Sequence, residues 1–513
     1  MLEIRKLNIK KVSENRELVK DLTFILNPKD KFALIGLEGI GKSTLLKAIL
    51  DKNQLNYVDI TGDIVKRNIN IGYLPQSIKD YWSNETVIDY LLKDNPDDEI
   101  LPESYRLLAT LEKTLTNLNF DMETYDDLKE IESYSGGEVV KLGLAKILIR
   151  DPDVLLLDEP TNDLDLDTII FLENFILKEE RPILFISHDE ALLENTANGI
   201  IHLTQIHGKR IAQTYFVKMG YHDYVVSRNL AIDNQEMIAK KQRNNFKKKM
   251  ERFQQVYQKV EHQQNQAVRD PSKGRLLKKK ILSLKSTEAR YMKEKENFID
   301  IPEREEEINI TFNNSNPIHN SKVVLNYNKD TLYINDRVLA RNIKLFIKGP
   351  KKIAIIGKNG SGKTTLMKDI LTFLRKNKSI KVGYMSQNYE EQLDLSKTSI
   401  NNVLSKTDKD YENKVRRVMG NLGFTGEEME YYPANLSGGQ KAKLLLLKMV
   451  IEEDNVLILD EPTRNLSPLS IPIIHKMLND FKGAIISITH DRNFIENVFD
   501  EVYVLTENGL EKL

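Results

Sequence analysis

Two lysines in this chain close glycine-spaced runs able to wrap a phosphate chain. Gly36-Leu37-Glu38-Gly39-Ile40-Gly41-Lys42-Ser43, followed by Thr44, and Gly357-Lys358-Asn359-Gly360-Ser361-Gly362-Lys363-Thr364, followed by Thr365, both fit the P-loop pattern. In such a loop backbone N–H groups converge on β- and γ-phosphates at a helix start, where the dipole and the unpaired donors favour anions. Lys42 and Lys363 add point charges to those oxygens. The hydroxyls of Ser43 and Thr364 stand where Mg²⁺ takes oxygen ligands.

The same further residues trail each loop. Val154-Leu155-Leu156-Leu157-Asp158-Glu159 and Val456-Leu457-Ile458-Leu459-Asp460-Glu461 are apolar runs ending in two carboxylates. Behind a P-loop, the first acid of each pair can hold Mg²⁺ through water and the second can polarise an attacking water. Ser135-Gly136-Gly137-Glu138 and Ser437-Gly438-Gly439-Gln440 open helical runs, so each capped helix start offers a second set of N–H donors to phosphate. Gln76 and Gln387 follow short apolar stretches, as do His188 and His490, and in this order each histidine reads as a γ-phosphate sensor.

The elements that must position these groups follow from hydrophobic runs and spacing. Phe32 to Ile35, Asn70 to Leu74, Val154 to Glu159 and Ile183 to Ile186 read as buried strands in the first copy, and Ile353 to Ile356, Val382 to Met385, Val456 to Glu461 and Ile485 to Ile488 in the second. Ser437, Asp460 and His490 each lie 302 residues after their counterparts, whereas Gly357 follows Gly36 by 321 and Gln387 follows Gln76 by 311. The first copy therefore carries 19 extra residues between its P-loop and Ser135, too few for a large inserted domain. The expected organisation is an α/β protein of two tandem P-loop domains, residues 1–220 and 308–513, joined by a long antiparallel helical hairpin over 221–307.

Composition separates the hairpin from the rest. The 513 residues balance 75 Lys+Arg against 76 Asp+Glu, yet residues 240–295 hold 18 basic and five acidic side chains, a local charge of +13. Phe246, Met250, Phe253, Tyr257 and Val260 make a coiled-coil seam, Leu277, Ile281, Leu284 and Tyr291 supply its partner, and Asp270 to Gly274 reads as the turn. Arg269, Lys273, Arg275, Lys278, Lys279 and Lys280 crowd the tip, about residues 263–280, where like charge is unfavourable unless a polyanion neutralises it. They are the candidate nucleic-acid-binding residues. The absence of cysteine excludes disulfides and thiolate zinc sites, and no apolar run approaches the roughly 18 residues of a membrane span. Charges at the start, Met1 to Leu7, do not suit a secretory signal, so a cytoplasmic protein is expected.

The ordered set of P-loop, glutamine, Ser-Gly-Gly, Asp-Glu and histidine resembles the ATP-binding-cassette ATPases over about 420 residues. Two such cassettes joined by a basic hairpin of about 80 residues resemble the ABC-F subfamily of ribosome-associated ATPases. The resemblance implies a monomer whose cassettes close head to tail over two ATP and Mg²⁺. Site one would join Lys42, Ser43, Gln76, Asp158, Glu159 and His188 to Ser437, Gly438 and Gly439. Site two would join Lys363, Thr364, Gln387, Asp460, Glu461 and His490 to Ser135, Gly136 and Gly137. Glu159 and Glu461, with Gln76, Gln387 and the two histidines, would be the catalytic groups. Ser43, Gln76, Asp158, Thr364, Gln387 and Asp460 would serve the metal.

The resemblance further implies a hairpin entering the ribosomal exit-tRNA site, contacting large-subunit rRNA near the peptidyl-transferase centre and peptidyl-site tRNA. A long tip points to displacement of lincosamides, pleuromutilins and streptogramin A, with a housekeeping translation factor as the alternative. A transporter ATPase subunit would leave the basic hairpin without a purpose, and DNA-repair ATPases interrupt one cassette with coiled coil instead of joining two. Some residues depart from the pattern. Tyr134 precedes the first Ser-Gly-Gly in place of Leu, no aromatic is available near Val12 to stack on adenine, and Tyr333 is the one candidate in the second half. Glu38 replaces the usual P-loop Asn, and Ser467 replaces an acid present at Asp165 in the first copy, so Glu38 and Ser467 are expected to meet in site one.

Overall fold

The computed structural model describes residues 2–13, 16–162, 164–206, 211–266, 271–302, 317–335, 337–406 and 408–513. The chain forms two compact units, one made of Met1–His222 with Glu305–Leu513 and the other of Asp223–Arg304.

In the first unit each copy is built on a six-stranded sheet. The order in the first copy is Ile71–Leu74, Val154–Asp158, Ile183–Ile186, Lys31–Gly36, Gly199–Ile206, Ile211–Val217. The second repeats it as Val382–Met385, Val456–Asp460, Ala484–Ile488, Lys352–Ile356, Glu501–Thr506, Gly509–Lys512. Five strands of each sheet run parallel and the last is antiparallel. Every residue of Val154–Asp158 and of Val456–Asp460 is buried, as befits strands covered on both faces. An antiparallel layer adds to each copy: three strands (Leu2–Lys11, Arg16–Leu26, Val58–Lys66) in the first, two (Val323–Ile334, Arg337–Lys348) in the second.

This topology collects chemistry at one edge. The P-loops, the Asp-Glu pairs, the glutamines and the histidines all follow the carboxyl ends of parallel strands, where α/β sheets bind ligands. Each P-loop turns from its central strand into a helix, Lys42–Leu50 or Lys363–Leu374. Gly36 is indispensable to that turn: its φ is +147°, and a Cβ there would lie 2.4 Å from the Leu203 carbonyl oxygen.

In the second unit the helices Tyr221–Gln266 and Pro271–Glu296 pair antiparallel. Lys249 Nζ meets Glu294 at 2.9 Å, Phe253 packs edge-on to Tyr291, Phe246 edge-on to Phe298, and Gln242 accepts from the Ile299 N–H. Phe253 and Val260 are buried on the expected seam, while Lys278, Lys279, Lys280 and Arg275 are exposed. At 46 residues the first helix spans roughly 69 Å at about 1.5 Å per residue. The expected turn over Asp270 to Gly274 is corrected: helix already begins at Pro271, because proline lacks the N–H that a first helical residue leaves unpaired. Asp270 and the candidate Arg269 lie outside the described residues, as does the side chain of Lys273. Among the described residues no helix is long and apolar enough to cross a membrane.

Candidate functional site

In both P-loops the lysine folds back on its own loop. Lys42 Nζ donates to the carbonyls of Gly36 and Leu37 at 3.0 and 3.2 Å, and Lys363 Nζ to those of Gly357 and Lys358 at 2.7 and 2.9 Å. Burial lowers both lysine pKa values, opposed by the nearby acids. Ser43 Oγ donates to Asp158 at 2.9 Å, and Thr364 Oγ1 to Asp460 at 2.9 Å. Burial raises the pKa of both aspartates, so each pocket favours an added cation. A hydroxyl and a carboxylate at hydrogen-bond distance beside a phosphate-binding loop form an oxygen set suited to Mg²⁺.

The second acids are held in a sparsely populated backbone conformation. Glu159 has φ +50° and Glu461 φ +53°, and their N–H groups donate to Ile186 and Ile488 carbonyls at 3.1 and 3.0 Å. Beyond the backbone the two differ. Glu159 accepts from Gln76 Nε2 at 2.7 Å and Asn162 Nδ2 at 2.8 Å, and contacts His188 Nε2 at 3.2 Å. Burial acts to raise its pKa, but the hydrogen bond and charge of His188, with Lys42 and Asn162, prevail and hold it at about 2. The other ring nitrogen of His188 reaches the second copy, 2.6 Å from the Leu466 carbonyl. A carbonyl and an ionised carboxylate can only accept, so both ring nitrogens of His188 face acceptors.

At the equivalent place in the second copy, His490 Nε2 stands 3.6 Å from Glu461, and its buried Nδ1 has no hydrogen-bond partner among the described residues. Burial and the Asp460 charge push Glu461 up to about 8, while burial and Lys363 lower His490 to about 4. A cavity of about 560 Å³ opens here, with Asn359, Lys363, Thr364, Gln387 and His490 facing Leu164 of the first copy.

The Ser-Gly-Gly motifs cap helices Gly136–Leu148 and Gly438–Ile451 with full capping boxes. Each box occupies the N-cap and third N–H groups and leaves the glycine N–H groups directed out. One of these, Gly439 N–H, donates to Glu38 of the first copy's P-loop at 2.6 Å. The expected meeting of Glu38 with Ser467 does not occur: Ser467 is buried, and its hydroxyl bonds Ser470 at 2.9 Å. Asp165 instead caps its own helix through Thr168 and accepts from the Asn359 backbone N–H. Tyr333 is 55% exposed; Ile334, Arg337 and Leu339 line the cavity in its stead. Tyr134 is buried, and its hydroxyl accepts from the Asp126 N–H.

Several contacts escaped the motifs. Tyr73 OH donates to Asp158 at 3.1 Å, and the same 311-residue spacing that relates the glutamines relates it to Tyr384, a signal present in the sequence. Asn162 could have been found three residues beyond Glu159. Where the copies meet beyond the histidines, Arg492 bonds Glu173 at 2.5 Å and Asn493 donates to Glu190 at 3.2 Å.

A family model described as ABC transporter matches residues 19–162 and again 340–464. The chain is 30% identical over 507 residues to ATP-binding protein Uup of Buchnera aphidicola subsp. Acyrthosiphon pisum (strain APS), covering 96% of this chain and 79% of that protein. It is 26% identical to ABC transporter F family member 5 of Arabidopsis thaliana, over 98% of this chain and 75% of the relative. Among solved structures, an archaeal ribosome recycling factor, aABCE1, in complex with ribosomal stalk protein aP1, matches the fold with TM-score 0.60 at 15% identity, over 99% of this chain and 90% of that one. With the family matched in both halves and the phosphate-binding loops paired with Asp-Glu strands in each, the chain belongs to the ATP-binding cassette family, as a tandem ATPase of the ABC-F type.

Proposed function

We propose that this ATPase works on the ribosome, with the cassettes as the motor and the basic hairpin as the RNA-contacting part. One observation carries the reading: residues 240–295 carry a net +13 on a paired-helix rod whose Lys278, Lys279 and Lys280 are exposed. A transporter subunit needs no such rod. The occupied partners would be large-subunit rRNA and peptidyl-site tRNA reached through the exit-tRNA site, and the finer role is displacement of peptidyl-transferase-centre antibiotics.

In each composite site Lys42 or Lys363 and the P-loop N–H groups would bind the phosphates, and Ser43 with Asp158 and Gln76, or Thr364 with Asp460 and Gln387, would hold Mg²⁺. That ion supplies charge neutralisation to the leaving phosphate oxygens. Glu159 or Glu461 would accept a hydrogen bond from the attacking water, and His188 or His490 would orient the glutamate and the γ-phosphate. The Ser-Gly-Gly helix starts close the site from the opposite cassette.

Co-sedimentation with ribosomes in a non-hydrolysable ATP analogue tests the proposal, and recovery of the protein only in the ribosome-free supernatant refutes it. Changing Lys278, Lys279 and Lys280 to Gln should flatten the salt dependence of binding, each lost phosphate contact removing about 0.9 from the log–log slope if the RNA behaves as B-DNA does. Expression in a susceptible host separates the finer roles. Raised inhibitory concentrations of lincomycin and tiamulin support drug displacement, and unchanged ones assign the protein to housekeeping translation.

A further inference from the structure

The two P-loops differ at one chemically decisive position. Asn359 in the second is neutral; its counterpart in the first, Glu38, carries a carboxylate. That carboxylate accepts from the Gly439 N–H at 2.6 Å, across from one cassette to the other. The donor belongs to the start of a 14-residue helix whose capping box has already bound the Ser437 and Gln440 N–H groups. What the helix start offers to an anion from the opposite P-loop is therefore the glycine pair, and one of the two is taken. No side chain fits at Gly439 in this approach: a Cβ there would sit 2.7 Å from the Asn465 carbonyl oxygen and 3.6 Å from Glu38 Oε2.

We infer that Glu38 is a specificity-determining residue of site one, an internal anion that competes with a terminal phosphate, so that site one favours a nucleoside diphosphate over a triphosphate more than site two does. A γ-phosphate delivered to site one would compete for the same N–H and face a carboxylate of its own sign at contact distance. A diphosphate ends at the β-phosphate, within the P-loop donors and Lys42, and leaves the Glu38 bridge intact. Lys42 feels the opposite charge of Glu38 as well as of Glu159 and Asp158, so this carboxylate is part of the electrostatics of the phosphate cradle. In site two the neutral Asn359 sets no such competitor against Gly136 and Gly137, and the Asp165 carboxylate at that interface is occupied by its own helix cap and the Asn359 backbone N–H.

The test uses the full chain without ribosomes, which makes it independent of the proposed cellular role. Lys363→Met leaves site one as the intact P-loop, and Lys42→Met leaves site two. For each protein the dissociation constants of ADP and of AMP-PNP, both with Mg²⁺, are measured by titration calorimetry. The AMP-PNP to ADP ratio should be at least tenfold higher for site one than for site two, a difference of about 1.4 kcal/mol. Adding Glu38→Gln or Glu38→Asn to the Lys363→Met protein should bring the ratio down to that of site two, chiefly by tightening AMP-PNP. Glu38 lies on an exposed stretch of the loop, so both variants should fold. Equal ratios at the two sites, or a site-one ratio that neither Glu38 variant moves, would overturn the inference.

Discussion

Site one and site two contain the same motif residues in the same order, yet their catalytic pairs are wired oppositely. In site one His188 is pinned between Glu159 and the Leu466 carbonyl of the other cassette, and Glu159 is held ionised by three side chains. In site two His490 lacks the second anchor and stands 3.6 Å from a glutamate that burial raises to about 8. The motif decides which groups arrive; burial and the side chains of the same cassette decide their protonation. A general base works best with a pKa near the working pH, which favours Glu461 over a carboxylate held at about 2. Site one is latched and site two is poised.

The largest test of that contrast is removal of the glutamates. Glu159→Gln with Glu461→Gln should bind ATP and lose turnover by about 10²–10⁴-fold, because the amide keeps the shape without the charge that polarises water. Of the single variants, Glu461→Gln should account for most of the loss. If Glu159→Gln alone is the more damaging in steady-state phosphate release, the assignment of turnover to site two is wrong. A second test sets pH against each site. With Lys42→Met, turnover should rise about tenfold from pH 7 to pH 9 as Glu461 loses its proton around pH 8, since only the carboxylate can accept from water. With Lys363→Met the profile should stay flat above pH 5, because Glu159 is already ionised. Matching profiles would erase the distinction.

The smallest expected effect lies beyond the histidines, where Arg492 bonds Glu173 at 2.5 Å and faces Asp189 at 3.8 Å. Burial raises Asp189 to about 6, so this cation matters to an acid that burial disfavours. Arg492→Gln should cost about 1–2 kcal/mol, seen as a fall of a few degrees in melting temperature at pH 7.5. The loss should shrink at pH 5, where Asp189 is mostly protonated and needs no partner. A loss that is the same at both pH values would show that Arg492 acts through packing alone.

The strands and the motif positions were legible because buried parallel strands read as unbroken apolar runs; Val154–Asp158 and Val456–Asp460 end one residue short of their sequence readings, because Glu159 and Glu461 turn into the left-handed region. The hairpin seam was legible for the same reason, its period being imposed by burial between Phe253 and Tyr291. What escaped was of another kind. The anchor of His188 is a main-chain oxygen of Leu466, and backbone atoms carry no residue signature. Glu38 was recognisable as a departure, but not its partner: Gly439 approaches from 401 residues away in sequence through an N–H that every residue but proline possesses. The turn of the hairpin was misplaced because proline and glycine serve both turns and helix starts, and the choice between them depends on the helix that follows.

The left-handed backbone at Glu159 and Glu461 has a practical consequence for anyone improving this protein in the laboratory. An L-residue at φ near +50° gives up about 1–2 kcal/mol that glycine would not, and at Glu461 burial also disfavours the carboxylate, so a glycine there should make the chain more heat-resistant, whereas at Glu159 it would forfeit the bonds to Gln76, Asn162 and His188. A selection for thermal survival alone would therefore enrich the Glu461 codon for glycine. It would harvest sturdier cassettes that no longer turn over, and only a screen that scores phosphate release alongside survival would keep the motor running.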